Sequence, residues 1–126
     1  MTMKMNQQEI FDKVATHLIA QGKQSLAPDP HHEGEVCAYR GADGTMCAAG
    51  CLIPDDEYDP DFEGVPWDDL EQPVLSLANA PQEVHDLITS LQEVHDDEWS
   101  WNSPETLKVA LGEVANLYGL SADVLC

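Results

Sequence analysis

A chain of 126 residues, of which 43% are hydrophobic, can bury a core of its own as one domain, so its folding requires neither a disulfide nor a metal. Its charge is extreme, because 24 Asp and Glu stand against 5 Lys and Arg and give a formal net charge of −19. No basic patch is present to displace counterions from phosphates, which argues against direct binding of nucleic acid or of an anionic membrane. Basic proteins and metal ions are the partners that fit.

Residues 1–8 contain one lysine and no apolar run, so they do not resemble a secretory signal. No stretch of the sequence reaches the ~18 apolar residues of a membrane helix. We therefore expect a cytoplasmic protein. In that compartment the cysteines are expected to be reduced thiols, namely Cys37, Cys47, Cys51 and Cys126.

The first predicted element is a helix over residues 6–22. Asn6 and Glu9 match a capping box at its start. Apolar residues recur at helical spacing and form one face, made of Ile10, Phe11, Val14, Leu18 and Ile19. Residues 26–35 are rich in Pro, His and Asp and offer little to bury, so they are predicted to be a linker.

A β-hairpin is predicted over residues 36–47, because glycines at positions 41 and 44 suit a turn with positive φ. In that register Cys37 and Cys47 come close together across the ladder. The hairpin is the source of the predicted β-structure in this chain.

Residues 48–53 are small and apolar and are expected to pack against the core before Pro54 stops the segment. An irregular acidic loop is predicted over 55–71, followed by helices over 81–97 and 104–118. The last helix has strong end signals, with Ser103 as N-cap, Pro104 at the first position and Gly119 as the stop. The sequence thus predicts an α+β fold, a mainly helical single domain over 1–126 with a short β-hairpin and an irregular acidic loop.

Two stretches, Cys37-Ala-Tyr-Arg-Gly41 and Cys47-Ala-Ala-Gly-Cys-Leu-Ile-Pro54, carry a family resemblance. They resemble a motif of small acidic proteins of tailed bacteriophages and prophages. The similarity extends over the opening helix, Glu63-Gly64 and the helix that contains His85 and His95. What the resemblance implies is a phage origin and expression in a bacterial host. It brings no activity with it and assigns no role to the cysteines.

The acidic residues are concentrated in one half of the chain. Between Arg40 and Lys108 there are 17 Asp and Glu and no Lys or Arg. At about 100° per residue, four acids of the helix over 81–97 lie opposite its apolar stripe. This acidic ridge consists of Glu83, Asp86, Glu93 and Asp97. The loop adds the other predicted partner-binding residues, Asp55, Asp56, Glu57, Asp59, Asp61, Glu63, Asp68, Asp69 and Glu71.

Two interpretations of this charge stay open. The carboxylates could form a solvated face that keeps the protein soluble. They could instead bind a basic surface of a host protein, as a mimic of DNA that inhibits a nucleic-acid enzyme or a defence system. The ridge alone is too sparse for mimicry, because four charges over about 21 Å compare with one per ~1.7 Å of duplex, so the loop must fold alongside it. The leading hypothesis is that the chain binds a basic host protein, namely an enzyme that handles DNA or RNA.

The alternative function is a zinc-stabilised structural or adaptor domain. Thiolates of Cys37, Cys47 and Cys51, with His31 or His32 as the fourth ligand, offer the donors that tetrahedral zinc prefers. The spacings of nine and three residues differ from the paired knuckles of common zinc modules. Three small thiols beside alanines and glycine also suit a tight core.

Two further sites are weighed and set aside. Asp59, Asp61, Glu63 and Gly64 match the start of an EF-hand loop, but its twelfth position is Leu70 instead of Glu. A nucleophilic pair of Cys37 or Cys51 with His85 or His95 lacks any catalytic signature. His95 falls within the apolar stripe of its helix, which indicates a packed, hydrogen-bonded histidine. We therefore do not expect an enzyme, and no cofactor other than zinc is suggested.

Overall fold

The computed structural model describes residues 6–28, 33–41, 44–63, 65, 67 and 82–125. Within these residues the helices and strands are α1 (Gln7–Gln21), β1 (Leu26–Pro28), β2 (Glu35–Cys37), α2 (Gln82–Asp96) and α3 (Pro104–Leu117). Short 3₁₀ turns lie at Gly50–Leu52, Pro60–Phe62, Glu98–Trp101 and Asp123–Leu125. The expected α+β class, mainly helical with a short β-hairpin, is confirmed.

α1 begins and ends where its sequence supplies a cap. The Asn6 side chain accepts a hydrogen bond from the Glu9 N–H at 2.8 Å, and the Asn6 N–H donates to Glu9 Oε1 at 3.2 Å. Gly22 follows the last turn at φ 69°, and its N–H donates to the Leu18 carbonyl. A glycine suits this position because a side chain is strained in a left-handed backbone.

α3 carries a second capping box. The Thr106 N–H donates to Ser103 Oγ at 3.1 Å, and the Ser103 N–H donates to Thr106 Oγ1 at 2.8 Å. Pro104 occupies the first helical position, where its missing N–H costs no intrahelical hydrogen bond. Beyond the helix, Gly119 adopts φ 68°.

The ladder of the sheet differs from the one that the sequence predicts. β2 pairs antiparallel with β1, so Cys37 lies opposite Leu26 and not opposite Cys47. Of the hairpin predicted over 36–47, the described residues form a single bridge, between Arg40 and Met46. The predicted pairing of the two cysteines across one ladder is therefore wrong.

The segment that follows α1 explains this pairing. Ser25 is fully buried, its N–H donates to His95 Nε2 at 2.8 Å, and its carbonyl accepts from the Ala38 N–H at 2.9 Å. The linker predicted over 26–35 is therefore wrong at both ends, since its first three residues form β1 and Glu35 begins β2. Composition concealed this strand because a two-stranded ladder is held by backbone groups, whatever the side chains are.

The core lies between the three helices and the segment from Cys47 to Ile53. Gly50 explains how that segment fits, because a Cβ at this position would stand 2.1 Å from the Tyr39 carbonyl oxygen. Only glycine allows this approach. The largest fully buried side chains among the described residues are Phe11, Ile10, Leu18, Leu87, Ile88, Leu91 and Leu111.

Candidate functional site

The carboxylate of Glu63 is used by the fold. Its Oε1 accepts from the Tyr39 N–H at 2.9 Å, and its Oε2 accepts from the Arg40 N–H at 3.1 Å and from the Tyr58 hydroxyl. Burial and this carboxylate together raise the pKa of the Tyr58 phenol above its ordinary value. Glu63 thus fixes the loop over 55–63 to the backbone that follows β2.

Other acids of this loop have local structural roles. Asp55 pairs with Arg40 at 2.6 Å, although its side chain remains 93% exposed. Asp59 accepts from the Asp61 N–H at 2.9 Å and caps the 3₁₀ turn Pro60–Phe62. Asp56 and Asp61 are exposed, and Glu57 is half-buried.

Several residues named from the sequence lie outside the described part of the chain. These are the partner-binding candidates Asp68, Asp69 and Glu71 and the metal candidates His31 and His32. Within the loop, Trp67 is anchored to α2, because it is buried and its indole N–H donates to His85 Nδ1 at 3.2 Å. The two rings stack with centroids 6.1 Å apart.

The acidic ridge occupies the outer face of α2 and its end. Glu83, Asp86, Glu93 and Asp97 are all exposed, while the opposite stripe of the helix is buried. Asp86 accepts from the Gln82 side chain, and Asp97 caps the next turn by accepting from the Trp99 N–H at 3.0 Å. In the part of the chain that the structure describes, the carboxylates of Glu83 and Glu93 take part in no hydrogen bond or ion pair.

An exposed aromatic side chain adjoins the ridge. Trp99 is 48% exposed and follows two exposed acids, Asp97 and Glu98. The other tryptophans are anchored, since Trp101 donates its indole N–H to the His95 carbonyl and Trp67 is buried on His85. Trp99 is therefore the tryptophan that a partner could contact.

A pocket of about 390 Å³ opens between β2, the loop end and α2. At about 100° per residue, Thr89, Gln92, Glu93 and Asp96 fall on one flank of α2, with Glu93 shared between this flank and the ridge. The opposite walls are less polar, and the whole lining comprises Cys37, Ala38, Tyr39, Cys47, Val65, Trp67, Thr89, Gln92, Glu93 and Asp96.

A buried histidine fixes one wall of this pocket. His95 is fully buried, and its Nε2 accepts from the Ser25 N–H, so the proton of the neutral ring resides on Nδ1. That Nδ1–H donates to Asp96 Oδ1 at 2.9 Å, and the Gln92 side-chain amide donates to the same oxygen at 2.9 Å. The side-chain oxygen of Gln92, Oε1, in turn accepts from the Ala49 N–H at 3.0 Å. Asp96 is thereby held by groups that are themselves fixed to the core.

The structure gathers a different set of possible metal ligands from the predicted one. In the described residues, one atom each from Cys37, His95 and Asp96 lie within 4.8 Å of one another, a spacing that could hold a metal ion. Cys47 and Cys51 lie outside this group. The Cys47 sulfur accepts from the Gly50 N–H, and the Cys51 thiol donates to the Ala48 carbonyl.

The polarity of the His95 hydrogen bonds opposes metal binding at this group. A metal on Nδ1 needs the ring proton on Nε2, where a backbone N–H donor now stands. The ion would therefore have to break the bond between Ser25 and His95.

The thiols are held in their protonated form. Burial, helped by Asp96 and Glu98, raises the pKa of Cys37 to about 12. Burial likewise raises the pKa values of Cys47 and Cys51 to about 12. Because the thiolate is the nucleophile, this environment disfavours the cysteine–histidine pair considered from the sequence.

The described residues also do not bring together the carboxylates that the calcium hypothesis requires. Glu63 points to the Tyr39 and Arg40 backbone, and Asp59 caps its own turn. Within the described residues these acids form no ligand group with Asp61. Weak attraction of cations to exposed carboxylates remains the expected behaviour.

Sequence reasoning missed the residues that complete the pocket, above all Gln92 and Asp96. A helical wheel places both on the flank of α2, but nothing in the chain indicates which element faces that flank. The facing wall is β2, whose partner strand the sequence did not reveal.

Comparison of the chain with protein-family models, with curated proteins and with solved structures gives no match. None of the described helices combines the length and the apolar character needed to cross a membrane. What the protein does has to be inferred from the chemistry of its surface.

Proposed function

We propose that this chain is an interaction protein that binds a basic surface of another protein through the acidic ridge and Trp99. The observation that carries the proposal is that some acidic side chains have hydrogen-bond partners within the protein and others do not. Glu63 serves internal hydrogen bonds, whereas Glu83 and Glu93 are exposed and have no such bonds in the described residues. Carboxylates that do not stabilise the fold are the ones available to a partner.

The arrangement has an energetic cost that binding would offset. Like charges spaced three and four residues apart on a helix destabilise it by about 0.2–0.5 kcal/mol per pair. A cationic partner converts this repulsion into attraction and speeds association. The exposed Trp99 supplies the kind of aromatic anchor that dominates the free energy of many interfaces.

The finer proposal is that the partner handles DNA or RNA. Its phosphate-binding groove would offer a continuous basic surface. Further exposed carboxylates would add to those of the ridge, so that the density of negative charge approaches that of the phosphates that such a groove binds; these are Asp56, Asp61, Asp96 and Glu98. Anchoring of Trp67 on α2 favours a loop that lies beside the ridge. The resemblance to phage proteins adds that the partner belongs to a bacterial host and that binding occurs in its cytoplasm.

The test is capture from bacterial lysate with the full chain as bait. A single nucleic-acid enzyme that is released at moderate salt and displaced by duplex DNA is the expected result, because both reagents compete for the same basic groove. Retention in high salt, or indifference to DNA, would overturn the mimicry proposal.

A matched pair of variants distinguishes a specific contact at Trp99 from non-specific hydrophobic binding. Trp99→Ala should reduce capture strongly, and because about half of the side chain is buried it should also lower the unfolding midpoint modestly while the protein stays folded. Leu117→Ala is the control, because Leu117 is 75% exposed and lies on α3. Equal loss in both variants would show that the surface around Trp99 is not the contact.

A second candidate is a zinc-stabilised domain, which the spacing of Cys37, His95 and Asp96 favours. It requires the Ser25–His95 bond to break and the Cys37 thiol to ionise. Zinc at one ion per chain in protein purified without added metal, removed by a chelator with loss of fold, would establish it. A zinc content well below one ion per chain, with unfolding unchanged by the chelator, would rule out this candidate.

A further inference from the structure

We propose that the pocket between β2 and α2 receives an arginine side chain of the basic partner. This inference rests on the proposed function and names the group that the partner inserts. The pocket of about 390 Å³ falls within the range of small-ligand sites, ~300–1,000 Å³, so it can accept one long side chain.

The charge of the lining selects a cation. Glu93 and Asp96 stand on its α2 flank, and no Lys or Arg is found among the described lining residues. An anion would be repelled by both carboxylates, and an apolar group would desolvate them without compensation. A cation satisfies both.

The rest of the lining favours guanidinium over ammonium. Ala38, Val65 and Trp67 offer apolar walls for the stem of the side chain. Glu93, Asp96 and Thr89 present several acceptors, which suit the five-donor planar fork of arginine better than the compact, strongly hydrated ammonium of lysine.

Asp96 is preorganised for this role. Its Oδ1 already accepts from His95 and Gln92, and a carboxylate has about four lone-pair sites, so acceptor capacity remains. The carboxylate cannot turn away without losing both donors. Preorganisation of this kind lowers the cost of binding.

The experiment is an NMR titration of the ¹⁵N-labelled full chain with N-acetyl-L-arginine amide at constant ionic strength. The Trp67 indole and Gln92 side-chain resonances should shift saturably at millimolar probe, and N-acetyl-L-lysine amide should bind more weakly. Glu93→Gln should weaken the arginine probe about tenfold, as expected for loss of one charged hydrogen bond. Glu113→Gln is the control, because Glu113 is an exposed acid of α3 that belongs neither to the pocket lining nor to the ridge, and it should leave binding of the arginine probe unchanged.

A steric variant guards against misfolding of the charge variants. Thr89→Phe fills the pocket and keeps both carboxylates, so it should abolish the shifts while the spectrum stays folded. Shifts that match those from sodium chloride, or that survive Thr89→Phe, would overturn the proposal. So would saturation of the same resonances by zinc chloride but not by arginine.

This titration needs no partner, so it separates the two proposals. Arginine binding without capture from lysate would sustain the pocket and overturn the basic-partner function. Capture without arginine binding would sustain the function and overturn the pocket.

Discussion

Glu63 and Glu93 carry the same carboxylate in the same cation-free half of the chain, but the fold uses them differently. Glu63 accepts hydrogen bonds from two backbone N–H groups and the Tyr58 hydroxyl. Glu93 lies exposed at the border of the ridge and the pocket, and its carboxylate has no hydrogen bond or ion pair in the described residues. Net charge does not distinguish the two residues, but their hydrogen-bond partners do. Acids bonded within the fold, such as Glu63, belong to an inner region that stabilises the protein, whereas the acids of the ridge, such as Glu93, form an outer face that is free to bind.

The largest loss of stability is expected at alkaline pH, where the cysteine thiols that pack in the core ionise on unfolding. The folded-state pKa of the buried thiols, about 12, lies above their ordinary value of 9.0, so folding favours the protonated form. Their contribution to stability is fully present below pH 9 and is lost as the pH rises from 9 towards 12, at roughly 1 kcal/mol per pH unit for each thiol.

Urea unfolding at a series of pH values checks this, with Cys126→Ser as background so that only the described thiols are followed. Replacing Cys47 with Ala should make the dependence on pH shallower by the share of one thiol, because Cys37 and Cys51 remain. A free energy of unfolding that stays constant from pH 8 to 11 would contradict the assigned burial.

Glu63→Ala should cost about 3 kcal/mol of unfolding free energy, because three donors lose their acceptor in a half-buried site. Asp56→Ala removes an exposed acid from the same loop and should change stability by less than ~0.5 kcal/mol. Chemical denaturation of both variants makes the measurement. Equal effects would remove the distinction between acids that the fold uses and acids that it does not.

His95→Leu should cost about 2 kcal/mol, since the buried Ser25 N–H loses its acceptor and Asp96 loses a donor. His95→Gln keeps a side-chain carbonyl that can accept from Ser25 and should cost less. The ranking is read from urea midpoints. The reverse ranking would mean that the Ser25–His95 bond does not hold β1 against α2.

The smallest expected effect lies on the ridge. Neutralising Glu83, Asp86, Glu93 and Asp97 to their amides should leave stability unchanged or raise it by a few tenths of a kcal/mol, because like-charge repulsion is relieved. Asp97→Asn retains a side-chain oxygen for the cap on Trp99. A loss above 1 kcal/mol in thermal unfolding would show that these acids belong to the inner region after all.

The helices were predictable because their signals are local. Asn6 with Glu9, and Ser103 with Pro104, define helix starts within four residues of sequence, and the apolar spacing of α2 predicted that His95 is buried. Those features need no knowledge of distant contacts.

The sheet and the site were not predictable in the same way. The pairing of Cys37 with Leu26 depends on backbone bonds and on the distant His95, which holds Ser25. The structural role of Glu63 depends on two N–H groups more than twenty residues away. Long-range hydrogen bonds of this kind leave no periodic signal in the sequence.

The most direct test of the central claim compares two variants of equal charge in binding to the captured partner. One neutralises the ridge (Glu83→Gln, Asp86→Asn, Glu93→Gln, Asp97→Asn), and the other neutralises four exposed acids outside α2 (Glu33→Gln, Glu35→Gln, Glu113→Gln, Asp123→Asn). We expect the Kd to rise about a hundredfold for the ridge variant and by less than about threefold for the control. Equal losses in the two variants would contradict the claim, because binding would then follow net charge and not the outer face of α2.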